Sequence, residues 1–203
     1  MTTSTENLWE TEATIVRLSQ HPFLRGLNRT QLALLADCAL SARFEPGQVI
    51  FQEGEKADRF YLLERGKVVL ESRLDGGDAV IIDTISGGDL LGWSWMMPPY
   101  VWHFTARAAE PTEAIYFAGD ILHDYCHRDH SLGFELHKRM SAVMMKRLQA
   151  ARKKMLAIHS GQRLEPSIGL SPFMEQEFDT LPGEPTAPEI TEREPRTHEV
   201  GGS

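Results

Sequence analysis

The sequence predicts an α+β protein in which a sandwich, barrel or jelly roll of short strands lies between helical segments. Within residues 21–128, short β-type apolar runs recur about every 8–12 residues and are separated by glycine-rich turns. On both sides of these runs, apolar residues are spaced by three and four, as in amphipathic helices. Residues 161–203 are rich in proline, glutamate and threonine, and we expect them to form a disordered tail.

Helical patterns begin the chain. Residues 1–20 predict a polar leader with a short helix that starts near Ile15. After a turn at His21, either Asn28 or Thr30 can cap a second helix, because these side chains accept hydrogen bonds from the free amides of a first turn. The apolar positions assigned to this second helix are Leu32, Leu34, Leu35, Cys38 and Leu40.

The β-type part begins after residue 42, where the apolar spacing changes. Its runs are Phe44 and residues 49–51, 60–63, 68–70, 80–82 and 115–117. Glycine, proline and acidic residues mark the turns between them. Among these turns, residues 75–78 (Asp-Gly-Gly-Asp) predict a hairpin loop between two runs.

A long helix over residues 129–160 follows the β-type part. Asp120 is predicted to cap a short helix before it, and Asp129 or Ser131 to cap the long one. Because a periodic helix of this length rarely packs only on its own small domain, we expect a homodimer. The apolar positions of the long helix are Leu132, Leu136, Met140, Val143, Met144, Leu148, Met155 and Ile158. Those assigned to the dimer contact are Leu136, Met140, Val143 and Leu148.

Composition limits the classes of function. The chain has 29 acidic and 21 basic residues, and its net charge of −8 argues against a dedicated nucleic-acid binder. Cys38 and Cys126 are too few for a zinc or iron–sulfur site and suggest reduced thiols in a cytoplasmic protein. His123 and His127 share a helical face but lack an assured third ligand, so we expect no metal site. No signal peptide or membrane span is predicted.

The candidate ligand site is the stretch over residues 87–107. Its three glycines precede a short apolar segment, an arrangement that can present backbone amides to an anion. Three of the four tryptophans also lie in this stretch, so its side chains are mainly aromatic. The residues assigned to ligand binding are Gly88, Gly92, Trp93, Ser94, Trp102, His103 and Thr105. No catalytic constellation accompanies them, and we expect neither enzymatic activity nor a cofactor.

Residues 50–68 closely resemble the signature hairpin of cyclic nucleotide-binding domains. These domains are the sensor modules of cyclic-AMP receptor protein/fumarate–nitrate regulator-type proteins, kinase regulatory subunits and gated channels. The leader around residues 21–27 is similar to that family, and so is the long helix, which is the dimer helix in the bacterial regulators. The resemblance covers about residues 22–158. It implies an eight-stranded β-roll (jelly roll) with N-terminal helices and a long C-terminal helix.

The resemblance identifies the candidate site as the phosphate-binding cassette. In the family, a glutamate after the cassette glycine contacts the ribose, and an arginine further along pairs with the cyclic phosphate. Alignment on Gly92 places Trp93 at the glutamate and Trp102 at the arginine, with His103 at the following serine or threonine. A shift of one residue offers Ser94 and His103 instead. Without the arginine, a buried phosphate charge is uncompensated, so cyclic AMP binding in the usual mode is not expected.

Two interpretations of the aromatic side chains follow. They line a pocket that stacks a planar ligand, or they fill the former nucleotide pocket. Alternation along a strand places Trp102 and Arg107 on opposite faces, so Arg107 is expected at the surface. Residues 146–147 and 152–154 are basic and are expected on a solvated face of the long helix.

Three functions are compatible with these features. The first is a non-enzymatic sensor module that binds a ligand other than cyclic AMP and signals by helix movement to a partner protein. The second is a ligand-free dimeric interaction scaffold. The third is a Crp/Fnr-type transcription regulator without its own DNA-binding domain. The sequence of residues 161–203 shows no pattern of paired amphipathic helices, so direct sequence-specific DNA binding is not expected.

Overall fold

The computed structural model describes residues 3–73 and 77–160, which contain four α-helices, eight strands and two short 3₁₀ helices. The α-helices are α1 (Thr3–Gln20), α2 (Arg29–Asp37), α3 (Gly119–Arg128) and α4 (His130–His159). The strands are β1 (Ala39–Phe44), β2 (Val49–Phe51), β3 (Arg59–Arg65), β4 (Lys67–Arg73), β5 (Ala79–Ser86), β6 (Leu90–Leu91), β7 (Thr105–Ala108) and β8 (Thr112–Ala118). The 3₁₀ helices are Pro22–Leu24 and Trp93–Met96.

The strands form two antiparallel four-stranded sheets, with the orders β1-β8-β3-β6 and β2-β7-β4-β5. Consecutive strands change sheet repeatedly along the chain, as in a jelly roll. The predicted eight-stranded β-roll with N-terminal helices and a long C-terminal helix is therefore confirmed. Arg73 and Ala79 are partners across β4 and β5, which confirms a hairpin there, although loop residues 74–76 lie outside the described residues.

Aromatic side chains join the N-terminal segment to one sheet of the roll. The ring centroid of Phe60 lies 5.5 Å from that of Phe23 and 5.7 Å from that of Phe117. All three rings are at most 1% exposed. Because full burial of such a side chain contributes about 1.5–3 kcal/mol, this cluster joins the N-terminal segment firmly to the sheet formed by β3 and β8.

The N-terminal helices differ from the prediction in their bounds. Helix α1 has 18 residues instead of a short helix near Ile15. Asn28 caps α2 as predicted, since its side chain accepts from the Gln31 amide while Gln31 accepts from the Asn28 amide. The assignment of Leu40 to this helix is wrong. Leu40 lies in β1 and is 53% exposed, because the helix ends at Asp37 and the chain continues as an edge strand.

A buried histidine joins the turn after α1 to β3. His21 is 5% exposed, its Nε2 lies 3.1 Å from the carbonyl oxygen of Leu63, and its Nδ1 accepts from the Phe23 amide at 3.3 Å. Nδ1 is therefore unprotonated and Nε2 carries the proton. Burial lowers the pKa of His21 to about 4, so the ring is neutral near pH 7.

The two C-terminal helices begin at different kinds of cap. Asp129 caps α4 as predicted and accepts from the Leu132 amide at 3.0 Å. The predicted cap Asp120 is wrong, because α3 begins at Gly119 and its cap position is Ala118, two residues before Asp120. Asp120 instead lies in the first turn, where its charge complements the helix dipole.

The first half of α4 packs on its own domain. Leu136, Met140 and Val143 are at most 2% exposed, because they complete the core of the same chain. These three residues are thus already used within one chain, which corrects their assignment to a dimer contact. Of the four assigned residues, Leu148 is the exposed one, at 65%. Arg139 fixes this half of the helix by donating to the carbonyl oxygens of Phe23 and Arg25 at 2.9 and 2.7 Å.

Two other properties bear on the predicted environment. Cys38 and Cys126 are both free thiols, and burial raises the pKa of each to about 11, so both are protonated near pH 7. Among the helices described, none is both long enough and apolar enough to cross a bilayer. The predicted tail over residues 161–203 lies outside the described residues.

Candidate ligand-binding site

Gly92 shapes the backbone of the cassette. It follows β6 in the left-handed conformation, with φ of 87°, and starts the 3₁₀ helix Trp93–Met96. A Cβ atom at this position would lie 3.0 Å from two ring carbons of Trp102 and 3.2 Å from the carbonyl oxygen of Arg59. Both the backbone conformation and the close indole therefore require glycine.

Trp102 occupies the centre of the site. Its indole stacks on the Phe51 ring at a centroid distance of 3.9 Å and an interplanar angle of 13°, and the residue is 4% exposed. The backbone of Trp102 is also held, since its amide donates to the Glu55 carbonyl and its carbonyl accepts from the Gly54 amide, both at 2.8 Å. The resemblance assigns an arginine to this position, whereas this chain places an apolar ring pair there.

A second pair of rings lies at the edge of the site. Trp93 stacks on His103 at a centroid distance of 5.6 Å and an interplanar angle of 12°. Ser94 is buried, and its Oγ lies 3.1 Å from His103 Nδ1. His103 itself is exposed, so this group of side chains connects the buried part of the site to solvent.

The third cassette tryptophan connects the site to α3. Trp95 is 3% exposed and its ring lies 4.9 Å from that of His123, in an edge contact. His123 Nε2 is 3.2 Å from the Trp95 carbonyl oxygen. His123 thus forms a contact between the cassette and the helix that follows the β-roll.

The cavity left between these side chains is small. Its volume is about 20 Å³, which is close to the space that one ordered water needs. A nucleotide does not fit a space of this size. The lining residues are Phe51, Leu70, Leu91, Gly92, Trp93, Ser94, Trp102, His103, Phe104 and Arg147. Five of the seven residues assigned to ligand binding therefore share one cavity.

The other two assigned residues lie away from this cavity. Gly88 belongs to the turn before β6, where its amide donates to the Leu63 carbonyl at 2.7 Å. Thr105 accepts from the Glu53 amide at 3.1 Å and lines a separate polar groove. Arg107 lines the same groove and pairs with Glu71 at 3.2 Å, so it points away from Trp102 as predicted.

Arg147 of α4 is the functional candidate that sequence reasoning missed. It was expected on a solvated helix face, but its Nη2 donates to the carbonyl oxygen of Leu90 at 2.6 Å, and its Nε is enclosed. Desolvation lowers the pKa of this guanidinium, while the charges of Asp83 and Asp89 act in the opposite direction. The spacing could have indicated this, because Arg147 follows Met140 and Val143 at the same intervals of three and four.

The described β-roll matches a known family and known folds. Residues 41–129 match the family model of the cyclic nucleotide-binding domain. A solved protein from Geobacter metallireducens GS-15, described as a cyclic nucleotide-binding protein, is 29% identical, with a TM-score of 0.60. The matched region covers 66% of this chain and 98% of that protein's chain. A cyclic nucleotide-binding domain from Methylobacillus flagellatus KT is 15% identical over 78% of this chain and 86% of its own, with a TM-score of 0.63, and supports the fold alone.

Curated relatives share a shorter region. A cAMP-dependent protein kinase regulatory subunit of Yarrowia lipolytica is 33% identical over 75 residues, which are 37% of this chain and 19% of the relative. A cGMP-dependent protein kinase of Eimeria tenella is 26% identical over 152 residues, which are 75% of this chain and 14% of the relative. The chain thus spans less than a fifth of the length of these relatives.

Proposed function

Because residues 41–129 belong to the cyclic nucleotide-binding domain family, we propose that this chain is a non-enzymatic, cytoplasmic regulatory module that does not bind cyclic AMP in the usual mode. In this proposal, the state of the cassette cavity is passed to a partner protein by a movement of α4. The domains of this family are regulatory. The proposed module keeps this role but does not bind a cyclic nucleotide in the usual mode.

The observation that carries the proposal is the position of Trp102. Its indole is stacked on Phe51, at the position where the family has the arginine that pairs with the cyclic phosphate. A cyclic phosphate in this place would lose water without gaining the guanidinium that the family has at position 102, which is unfavourable for a buried charge. It would also have to displace a ring that already fills the space.

Contacts between the cassette and the helices support the signalling part of the proposal. The Arg147 guanidinium of α4 contacts β6 through the carbonyl oxygen of Leu90, the first residue of that strand. His123 of α3 contacts the Trp95 carbonyl in the 3₁₀ helix. Both helices contact the cassette backbone directly. A change in the conformation of the cassette therefore alters the positions of α3 and α4 together.

Calorimetric titration tests the nucleotide part of the proposal. We expect no saturable heat with cyclic AMP or cyclic GMP up to roughly 1 mM, a concentration that corresponds to about 4 kcal/mol of binding free energy. The Trp102→Arg variant restores the guanidinium and is expected to increase the affinity for cyclic AMP by about tenfold or more. Trp9→Arg is the control, because it adds the same charge at a side chain that is 75% exposed.

Two results would contradict this account. Micromolar binding of cyclic AMP to the wild-type chain would show that the indole does not block the phosphate. An equal gain of affinity in the Trp9→Arg control would show that a general charge effect, and not the position of Trp102, governs binding. Circular dichroism of each variant separates a loss of fold from a loss of binding.

The ligand-free dimeric scaffold is the second candidate, and the small cavity volume favours it. A cavity of about 20 Å³ gives a small molecule little apolar surface to bury. In this candidate, the filled β-roll supports α4, and the helix presents a surface to another protein. A second copy of the chain fits that surface in either candidate.

The proposed dimer uses the face of α4 that is turned away from the β-roll. Phe134, Met145, Leu148 and Met155 are 55–70% exposed. Their spacing of 11, 3 and 7 residues keeps them on one helical stripe, on the side opposite the buried Val143. Burial of such a stripe against its symmetry mate would remove this apolar surface from water.

A charge placed on this stripe is expected to separate the dimer. Leu148→Glu should increase the dimer dissociation constant by about tenfold or more, since an interface apolar residue is replaced by an unpaired carboxylate. Sedimentation velocity over a concentration series measures this change. Gln149→Glu is the matched control, because it adds the same charge at the adjacent exposed position but about 100° around the helix. A wild-type chain that is monomeric throughout the series would overturn the dimer proposal.

A further inference from the structure

Exposed apolar side chains are concentrated on the second half of α4. Those that are 55–70% exposed there are Met145, Leu148, Met155, Leu156 and Ile158. Leu148 and Met155 are seven residues apart, which is about two helical turns, so they lie on one side of the helix. Clustered apolar side chains at the surface mark interaction sites on soluble domains.

The same half of the helix is cationic. Residues 136–160 contain seven lysines and arginines and no aspartate or glutamate, although the whole chain has a net charge of −8. Arg152 follows Leu148 by four residues and precedes Met155 by three, so it lies on the side of the helix that carries both apolar residues. Arg152 is exposed and forms no ion pair within residues 3–73 and 77–160. A partner that complements this surface combines apolar groups with negative charge.

One segment of the chain beyond the described residues has this combination. Residues 173–179 read Phe-Met-Glu-Gln-Glu-Phe-Asp, with three acidic side chains, three large apolar ones and no basic one. Residues 161–203 together contain nine acidic residues and three arginines, and Phe173 and Phe178 are their only aromatic residues. The charges and the apolar groups of this segment, here called the tail segment, thus complement those of α4.

The tail segment follows α4 closely enough to reach this surface. Phe173 comes 13 residues after Ser160, and an extended chain of that length spans at most about 45 Å. Arg152 precedes Ser160 by eight residues, which is about 12 Å along the helix axis. The covalent connection makes the contact intramolecular, with an effective concentration in the millimolar range, so even a weakly binding segment occupies the surface.

We propose that the tail segment binds to the outer side of α4 and competes there with the second copy of the chain. Its two phenylalanines cover Leu148 and Met155, and the carboxylates between them pair with Arg152. This inference rests on the proposed function, because the surface includes the apolar stripe assigned to the dimer. The tail segment is therefore an internal competitor that weakens the dimer, while the remainder of residues 161–203 is still expected to be disordered.

Sedimentation velocity of the full chain tests the competition. The double variant Phe173→Ser/Phe178→Ser removes the aromatic part of the tail segment and should lower the dimer dissociation constant by about fivefold or more. The effect of occupancy enters twice, because both copies must release their segments before they associate. The matched control is Ile190→Ser/Val200→Ser, which removes two apolar side chains from the tail outside the segment and should leave the constant unchanged.

Methyl NMR of the methionines detects the contact without relying on the dimer. It is recorded on the full chain below the dimer dissociation constant. The ε-methyl resonance of Met155 should shift in Phe173→Ser/Phe178→Ser, because aromatic rings that cover the methyl group are removed. The resonance of Met140 is the internal control and should not move, because this residue is 1% exposed in the core.

The reciprocal substitution is made in α4 and followed at Met174 of the tail segment. Arg152→Glu should move the Met174 resonance to its position in a synthetic peptide of residues 170–182, because the carboxylates of the segment then face a like charge. Lys153→Glu is the matched control. It reverses a charge at the adjacent exposed position, about 100° around the helix, and should leave the Met174 resonance in place.

The outcomes separate this inference from the dimer proposal. An unshifted Met155 resonance in Phe173→Ser/Phe178→Ser would overturn the inference, whatever the oligomeric state. Equal effects of Ile190→Ser/Val200→Ser, or of Lys153→Glu, would also overturn it, since the contact would then not be specific to the tail segment and to Arg152. A chain that is monomeric at all concentrations but shows the Met155 and Met174 shifts would support the contact and overturn the dimer proposal alone.

Discussion

Replacement of Trp102 with alanine is expected to lower the free energy of unfolding by about 3–5 kcal/mol. The indole is 4% exposed and stacked on Phe51, so its removal deletes a large buried apolar surface and leaves a cavity bounded by Gly92 and Phe51. The surrounding structure relaxes only partially into such a space, so a cavity remains. Urea unfolding followed by circular dichroism measures the loss.

The matched control is Trp9→Ala. Trp9 is 75% exposed in α1, so the same change of side chain should alter the free energy of unfolding by at most about 0.5 kcal/mol. A loss in Trp102→Ala as small as that of the control would mean that the indole does not contribute to the packing of the roll. The interpretation of Trp102 as a filling side chain would then be wrong.

Indole added to the Trp102→Ala variant provides a further measurement. An engineered apolar cavity stays dry and binds aromatic molecules of matching shape. Indole should therefore increase the midpoint of urea unfolding of the variant in a saturable manner, and it should leave the wild-type chain unchanged. An equal increase in both proteins would indicate binding elsewhere on the surface.

The β-roll could be predicted from the sequence because its signals are local. Short β-type runs, the turns between them and the hairpin over residues 50–68 each specify their own backbone. The limits of this approach appear at Leu40. It continues the apolar spacing of α2, but pairing of β1 with β8 places it in a strand. A partner strand more than seventy residues away overrides the local pattern.

The position of the cassette could be predicted from the spacing of its residues, whereas the contribution of Arg147 to the cassette cavity could not. Gly92, Trp93 and Trp102 could be placed because they lie in one continuous stretch. Arg147 lies in a different element, and its role depends on how α4 crosses the β-roll. The same geometry explains why Leu136 and Met140 are core residues. Apolar periodicity identifies a buried helical face, but it does not distinguish a face buried on its own domain from one buried in a dimer.

Among the described glycines, Gly66 is the one at which an added methyl group has the largest expected cost in the free energy of unfolding. Gly66 joins β3 to β4 with φ of 95°, and a Cβ atom there would lie 2.5 Å from the Pro111 carbonyl oxygen and 2.6 Å from the Thr112 Cα. Backbone strain in this region costs about 1–3 kcal/mol, and the overlap adds about 1–3 kcal/mol. Because Pro111 and Thr112 contribute backbone atoms to the overlap, no side-chain rotation can relieve it.

Gly47→Ala separates these two costs. Gly47 has nearly the same φ, 84°, but a Cβ atom there would meet nothing within 4 Å. Both variants carry the strain, so the difference between their free energies of unfolding isolates the overlap with the start of β8, expected to be about 1–3 kcal/mol. Equal losses in urea unfolding would mean that the β3–β4 turn moves away from β8 without cost. The close approach of that turn to β8 would then not be required for the roll to close.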